Sequence, residues 1–277
     1  MSPPRIRIGT AGFSYAHWKN EFYPKDVKPA ERLAYYAKTF DTVEINVSFY
    51  RSVKEETLKN WLAQVPLDFR FFMRSSRRIT HYRKLRGCRW ILRDQWEQFA
   101  PLGPQLGGVL FQLAPSIKPD HGLLEDFLGE ARDTRDKAGL EAPLIVEFRG
   151  RRWYDDETFR ILRDAGAVAV LHDMPYRGGF WPIIAEDEEL LLKSGHLLML
   201  PEDWFASTLH SFIYLRLHGT VRAKAWSEYD IEQLELWERV LRRPLEQGKT
   251  LYAFFNNDAH AAAVRNAQQL AEILSIY

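Results

Sequence analysis

The sequence predicts an α/β protein, a single (β/α)8 TIM barrel. Three observations carry that reading. Eight short apolar runs recur along the chain, most are separated by stretches of helical periodicity, and each run ends in polar residues. Strands alternating with helices are the pattern of a parallel α/β sheet, and eight of them close a barrel. In such barrels the working residues sit at the C-terminal ends of the strands.

The runs lie at residues 5–10, 42–47, 69–74, 108–113, 144–149, 167–173, 212–219 and 251–257. The first helix is expected over 30–38, starting behind Pro29, because proline is tolerated where a backbone N–H has no helical partner. The second, 53–64, is stopped by Pro66, and the third, 88–99, by Pro101. The fourth begins near Asp120 and reaches Ala138, with Gly139 as its cap. The fifth begins at Asp155–Asp156 and ends before Gly166. After the seventh and eighth strands come helices over 231–246, with Pro244 in the last turn, and over 259–274. The sixth connection, 174–211, is far longer than a usual loop and helix. It reads either as a lid over the barrel mouth or as a decorated surface insertion.

Length and composition fit one domain spanning 1–277: the chain is 46% hydrophobic and 27% charged, with a formal net charge of +1. That balance argues for no particular partner. The single cysteine, Cys88, excludes an internal disulfide framework and suits a reducing compartment. No signal-peptide pattern opens the chain and no apolar run approaches ~18 residues, so a cytoplasmic protein without a membrane partner is expected. Oligomeric state is not set by these features.

Strand alternation places the polar residues. Tyr214, Arg216 and His218 share one face, and Leu215 and Leu217 the other. Helices cover the outside, so the polar set faces inward. The same reasoning turns inward Arg7 and Gly9, Glu44 and Asn46, Arg70 and Arg74, Gln112, Glu147 and Arg149, and Asn256 and Asp258. On strand six either His172 or Asp173 faces in. Buried charges need partners, since each costs on the order of several kcal/mol unpaired. An internal ion-pair network such as Arg7–Glu44 and Glu147–Arg216 is one reading. A ligand pocket is the other, favoured for residues near strand ends; Arg7 and Arg70 lie deeper and suit the network.

No acidic residue stands between Asp68 and Asp94, a window holding nine Arg and Lys residues from Arg70 to Arg93. Arg149, Arg151 and Arg152 follow strand five, and Arg222 and Lys224 follow strand seven. Guanidinium groups bind phosphate and carboxylate bidentately, so this locally basic mouth points to an anionic ligand; a solvated charge run is the competing reading. No Walker loop, dinucleotide fingerprint or nucleophile elbow is present. Cys88, at a helix start, reads as packing. His17, His81, His172 and His218 lack local metal spacing, although with Glu44, Glu147, Asp173 and Asp258 they could assemble a divalent-metal site from separate strands. No metal ligands are assigned.

The motifs also resemble a known family. They are Gly9-Thr10-Ala11-Gly12-Phe13-Ser14-Tyr15 with Trp18, Phe22-Tyr23-Pro24, Phe40 through Asn46 leading to Phe49-Tyr50-Arg51, and Ile79-Thr80-His81. Leu110 through Leu113, Val146 through Arg149 with Trp153, Arg216 through Gly219, and Phe255 through Asp258 complete them. The whole chain is similar to the domain-of-unknown-function 72 family, also called YecE-like. The resemblance implies a TIM barrel whose activity is unassigned; its likeness to barrel endonucleases and sugar isomerases is one of fold. Arg74 stands where relatives often carry Lys, and Gly150 where a His is common. The connection 174–211 also looks longer than usual.

The leading functional reading is an enzyme, of hydrolase, lyase or isomerase type, acting on a small phosphorylated or carboxylated molecule. Glu44, Glu147 and His218 are its candidate acid/base residues. Tyr15, Trp18, Asn46, Arg74, His81, Gln112, Arg149, Arg216, Asn256 and Asp258 are its candidate substrate contacts. A second reading is nucleic-acid binding or endonuclease-like phosphodiester cleavage, with Tyr82 and Trp90 stacking bases among the arginines. The third is a non-catalytic protein that binds an anionic ligand in the same pocket.

Overall fold

The structure, a computed structural model, describes residues 5–172, 181–183, 197–199, 212–222 and 225–276. Eight parallel strands form one sheet: β1 (Ile6–Thr10), β2 (Thr42–Ile45), β3 (Arg70–Arg74), β4 (Leu106–Gln112), β5 (Leu144–Glu147), β6 (Ala167–His172), β7 (Phe212–Leu217) and β8 (Thr250–Phe255). Their order is β1-β8-β7-β6-β5-β4-β3-β2, the strand order of a TIM barrel. Helices between them are α1 (Arg32–Tyr36), α2 (Val47–Tyr50), α3 (Glu55–Leu62), α4 (Arg89–Phe99), α5 (His121–Lys137), α6 (Asp156–Ala165), α7 (Ile231–Glu246) and α8 (Ala262–Ile273). Among the described residues no helix is long and apolar enough to cross a membrane. Most of the 174–211 connection, Asp173 and Lys224 lie outside the described residues.

Local chemistry sets the helix ends. Asp120, Asp155 and Asp230 each accept a backbone N–H from the third residue beyond, which satisfies one orphan donor of the first turn. Gly166 closes α6 with φ +63°, a left-handed conformation that glycine adopts without strain.

The chain divides into two compact units, one comprising residues 1–43, 171–205 and 211–277, the other residues 44–170 and 206–210. In the second, aromatic side chains pin the helices to one sheet face. Phe71 of β3 stacks on Trp61 of α3, with centroids 6.0 Å apart. Phe111 of β4 meets Trp96 at 6.4 Å and Phe127 at 5.3 Å. Alternation puts Phe72, Arg74, Leu110 and Gln112 on the opposite face, and the register Gln112↔Glu147 carries that face to β5.

In the first unit, β8 lies between β1 and β7. The registers Arg7↔Tyr252, Gly9↔Phe254, Tyr252↔Tyr214 and Phe254↔Arg216 put Arg7, Tyr214 and Arg216 on one face. All three are buried. Arg7 Nη1 reaches Asp41 Oδ2 at 3.0 Å and the Asp41 carbonyl at 3.1 Å, a contact the strand pattern did not single out.

Candidate functional site

In the 44–170 unit the strand ends carry a connected set of charges. β2 stops at Ile45, earlier than the sequence pattern suggests, and Asn46 begins the helical turn α2. The reason is local: Ser48 Oγ donates to the Ile45 carbonyl at 3.0 Å and also lies 2.6 Å from the Arg74 carbonyl, so a side chain supports the turn. That turn presents Phe49 beneath Arg74, whose guanidinium carbon is 3.8 Å from the ring centroid. Arg74 Nη1 lies 3.5 Å from Asn46 Oδ1, at the outer limit of a hydrogen bond.

After β3 the chain makes a π-helical turn over Arg78–Tyr82, a rare geometry and one the sequence reading did not anticipate. It brings the His81 ring edge-on to Phe49 at 4.9 Å, with Thr80 Oγ1 2.9 Å from His81 Nδ1. Partial burial, and then the positive charges of Arg74 and Arg149, hold the imidazole below its ordinary pKa. Both guanidinium groups therefore bear on the His81 ring.

β5 ends at Glu147, so Arg149 lies just beyond the strand rather than within it. Glu147 is wholly buried and forms an ion pair with Arg149, which is itself 10% exposed. Sequence reasoning missed Tyr154. Burial, and then the charge of Glu147, push its phenol well above the ordinary value, against the pull of Arg149, so it stays a neutral donor. Its only sequence signal is its place directly after Trp153. Gln112 is buried beside Glu147 in register, and Glu44 is fully buried in β2.

The first unit holds the other candidates. His218 follows β7 and is buried, and its ring lies 6.4 Å from that of His172, edge to face. Tyr15 donates its hydroxyl to the Ala11 carbonyl at 2.5 Å and packs 4.9 Å from Trp18. Trp18 is wholly buried, and its indole N–H donates to the Asp258 carbonyl at 2.8 Å, which makes it a packing residue that ties the segment after β1 to the segment after β8. His17 Nε2 meets the same carbonyl at 2.8 Å. Asn256 and Asp258 follow β8 and are half-buried, whereas Asn257 between them is buried and bonds Asn266 of α8 at 2.9 Å. Among the described residues no cluster of three or more His, Cys, Asp or Glu side chains is placed to hold a metal ion.

The strand order and the charged strand ends define a TIM-barrel protein with polar residues where barrel enzymes carry their sites. The chain belongs to the family described as protein of unknown function DUF72, which matches residues 7–277. It is 23% identical over 298 residues to UPF0759 protein YunF of Bacillus subtilis, covering 98% of this chain and 95% of that one. An 84-residue stretch is 32% identical to UPF0759 protein YecE of Escherichia coli K12, 30% of this chain and 31% of that one. The DUF72 family protein TM1631 of Thermotoga maritima superposes with a TM-score of 0.77 at 25% identity, over 98% of this chain and 99% of that one. A D-allulose 3-epimerase from a Methylomonas species reaches a TM-score of 0.54 at 12% identity, over 99% of this chain and 98% of that one, a likeness of fold alone.

Proposed function

We propose that the protein is an enzyme acting on a small anionic substrate, phosphorylated or carboxylated, at the strand ends of β2–β5. The observation that carries this reading is the pair of guanidinium groups at these strand ends: Arg74 stacked on Phe49, against which His81 also packs, and Arg149 held by the buried Glu147. Two guanidinium groups bring the local field an anion needs, and each offers a planar fork that matches phosphate or carboxylate. Partial burial, and then that field, hold His81 below its ordinary pKa, which suits its imidazole to accept a proton. Glu147, buried against Arg149, is the second acid/base group, and Tyr154 supplies a neutral hydroxyl donor. Asn46, beside Arg74, orients the substrate, as does Gln112.

Thermal-shift screening against phosphorylated and carboxylated metabolites tests this. A true ligand at about 100 times its Kd adds roughly 2.7 kcal/mol of stability. The shift should vanish in Arg149→Ala, and turnover of the hit should fall in Glu147→Gln. A broad anionic panel with no hit, or a hit indifferent to both arginines, would overturn the proposal.

A further inference from the structure

Next to these strand ends, the 44–170 unit has a cavity of about 310 Å³ walled by α2, the π-helical turn and α4. Gln95 of α4 lines it and is 5% exposed. Its Oε1 accepts from Ser75 Oγ at 2.9 Å and from the backbone N–H of Ser76 at 3.0 Å. A backbone N–H only donates, so the atom it meets is the oxygen and the amide cannot be flipped. The Nε2 group is then fixed as well; it is buried and has no hydrogen-bond partner among the described residues. A buried donor of this kind calls for an acceptor.

The cavity wall also carries Arg51, Arg77 and Arg78, none of which pairs with a carboxylate among the described residues. Asp94, in the same wall, has Arg93 at 3.6 Å. Tyr50 and Tyr82 are 62% and 65% exposed, unusual for rings of that size, and Arg77 lies 5.9 Å and 5.3 Å from their centroids. Cations thus stand next to two accessible aromatic faces in a cavity that Gln95, with its unsatisfied amide, also lines.

We propose that this cavity is a second ligand site, distinct from the anion site proposed above, and that it takes a nucleoside phosphate. The guanidinium groups hold the phosphate, a tyrosine face stacks the base, and Gln95 Nε2 donates to a ligand oxygen or ring nitrogen. The phosphate and base could belong to a free nucleotide or to the end of a single strand.

Calorimetric titration with AMP, GMP, CMP and UMP tests it, beside adenosine, inorganic phosphate and a 5′-phosphorylated pentanucleotide. At least one monophosphate should bind saturably at one site, with nucleoside or phosphate alone at least tenfold weaker. Arg77→Ala and Tyr82→Ala should each weaken binding tenfold or more with unchanged thermal melting, and Gln95→Leu should do so if it folds. Glu147→Gln should leave this binding unchanged, which separates it from the strand-end site. Tighter binding of the pentanucleotide assigns the ligand to a strand, and equal or weaker binding to a free nucleotide. Absence of saturable binding by all four monophosphates, or binding that survives Arg77→Ala, overturns the proposal.

Discussion

The phenol of Tyr36 bonds the backbone of Thr10: the Thr10 N–H donates to the Tyr36 hydroxyl oxygen at 2.9 Å, and that hydroxyl donates to the Thr42 carbonyl at 3.1 Å. Thr10 ends β1 and Thr42 opens β2, the two terminal strands of the sheet order. A side chain from α1 therefore links the strands at the two ends of that order. Gly9 allows the approach, because a Cβ there would stand 2.3 Å from the Thr42 carbonyl oxygen and 3.0 Å from the Tyr36 hydroxyl. Tyr36→Phe should cost about 1–3 kcal/mol, the cost of leaving a buried backbone donor without its acceptor. Gly9→Ala should also destabilise, since the obstacle is backbone that has to move. Urea denaturation of both variants measures this, and an unchanged midpoint in Tyr36→Phe would show that the link contributes nothing.

The Glu147–Arg149 pair carries the second prediction. Both side chains are withdrawn from water, so deleting the carboxylate leaves a guanidinium in a poor environment. Glu147→Ala should cost about 3–5 kcal/mol in equilibrium unfolding. Glu147→Gln, which keeps shape and hydrogen-bonding capacity, should cost less. Equal losses in the two variants would mean that packing, not charge pairing, holds this position.

The residues that were legible in the sequence are those whose structure is decided within a few positions. Asp155 and Gly166 bracket α6 because a capping oxygen and a left-handed glycine act locally, and both ends fall where the pattern puts them. The strand alternation around Arg74, Gln112 and Glu147 is local too. The end of β2 was not legible. The apolar run through Val47 reads as strand, but Ser48 bonds Ile45 and the distant Arg74 carbonyl, and that contact with β3 converts the run's end into a helical turn. Tyr154 escaped for a similar reason: its significance comes from charges brought near it by the fold, not from its neighbours in the chain. Gln95 looks like any polar residue on a helix until Ser75 and Ser76 are placed against it.

Cys88 supplies a third prediction. It is wholly buried at the start of α4, and burial, then the charge of Glu130, push its thiol up to about 11 despite Arg83. The thiolate is the reactive form, so the native protein at neutral pH should resist thiol reagents. Reaction with a disulfide dye should be negligible in buffer and stoichiometric in denaturant. Rapid labelling of the folded protein would contradict this burial.

The last prediction concerns His81, and its sign follows from the direction of its shift. The folded state holds the imidazole below the ordinary His value of about 6.5, by partial burial and then by Arg74 and Arg149. The unfolded chain therefore binds the proton more readily. As pH falls below that ordinary value, the unfolded state gains protons first and the folded state loses relative stability until pH has passed the folded pKa; above the ordinary value, His81 makes no contribution to the pH dependence of stability. Removing one cation relieves the field, so Arg149→Ala and Arg74→Ala should each raise the His81 pKa toward the ordinary value. Nuclear magnetic resonance titration of the His81 ring protons reads this directly, with His81→Gln identifying the resonance. If the wild-type ring titrates at or above the ordinary value, or ignores both substitutions, the arginines do not bear on it, and the proton-accepting role proposed for His81 loses its basis.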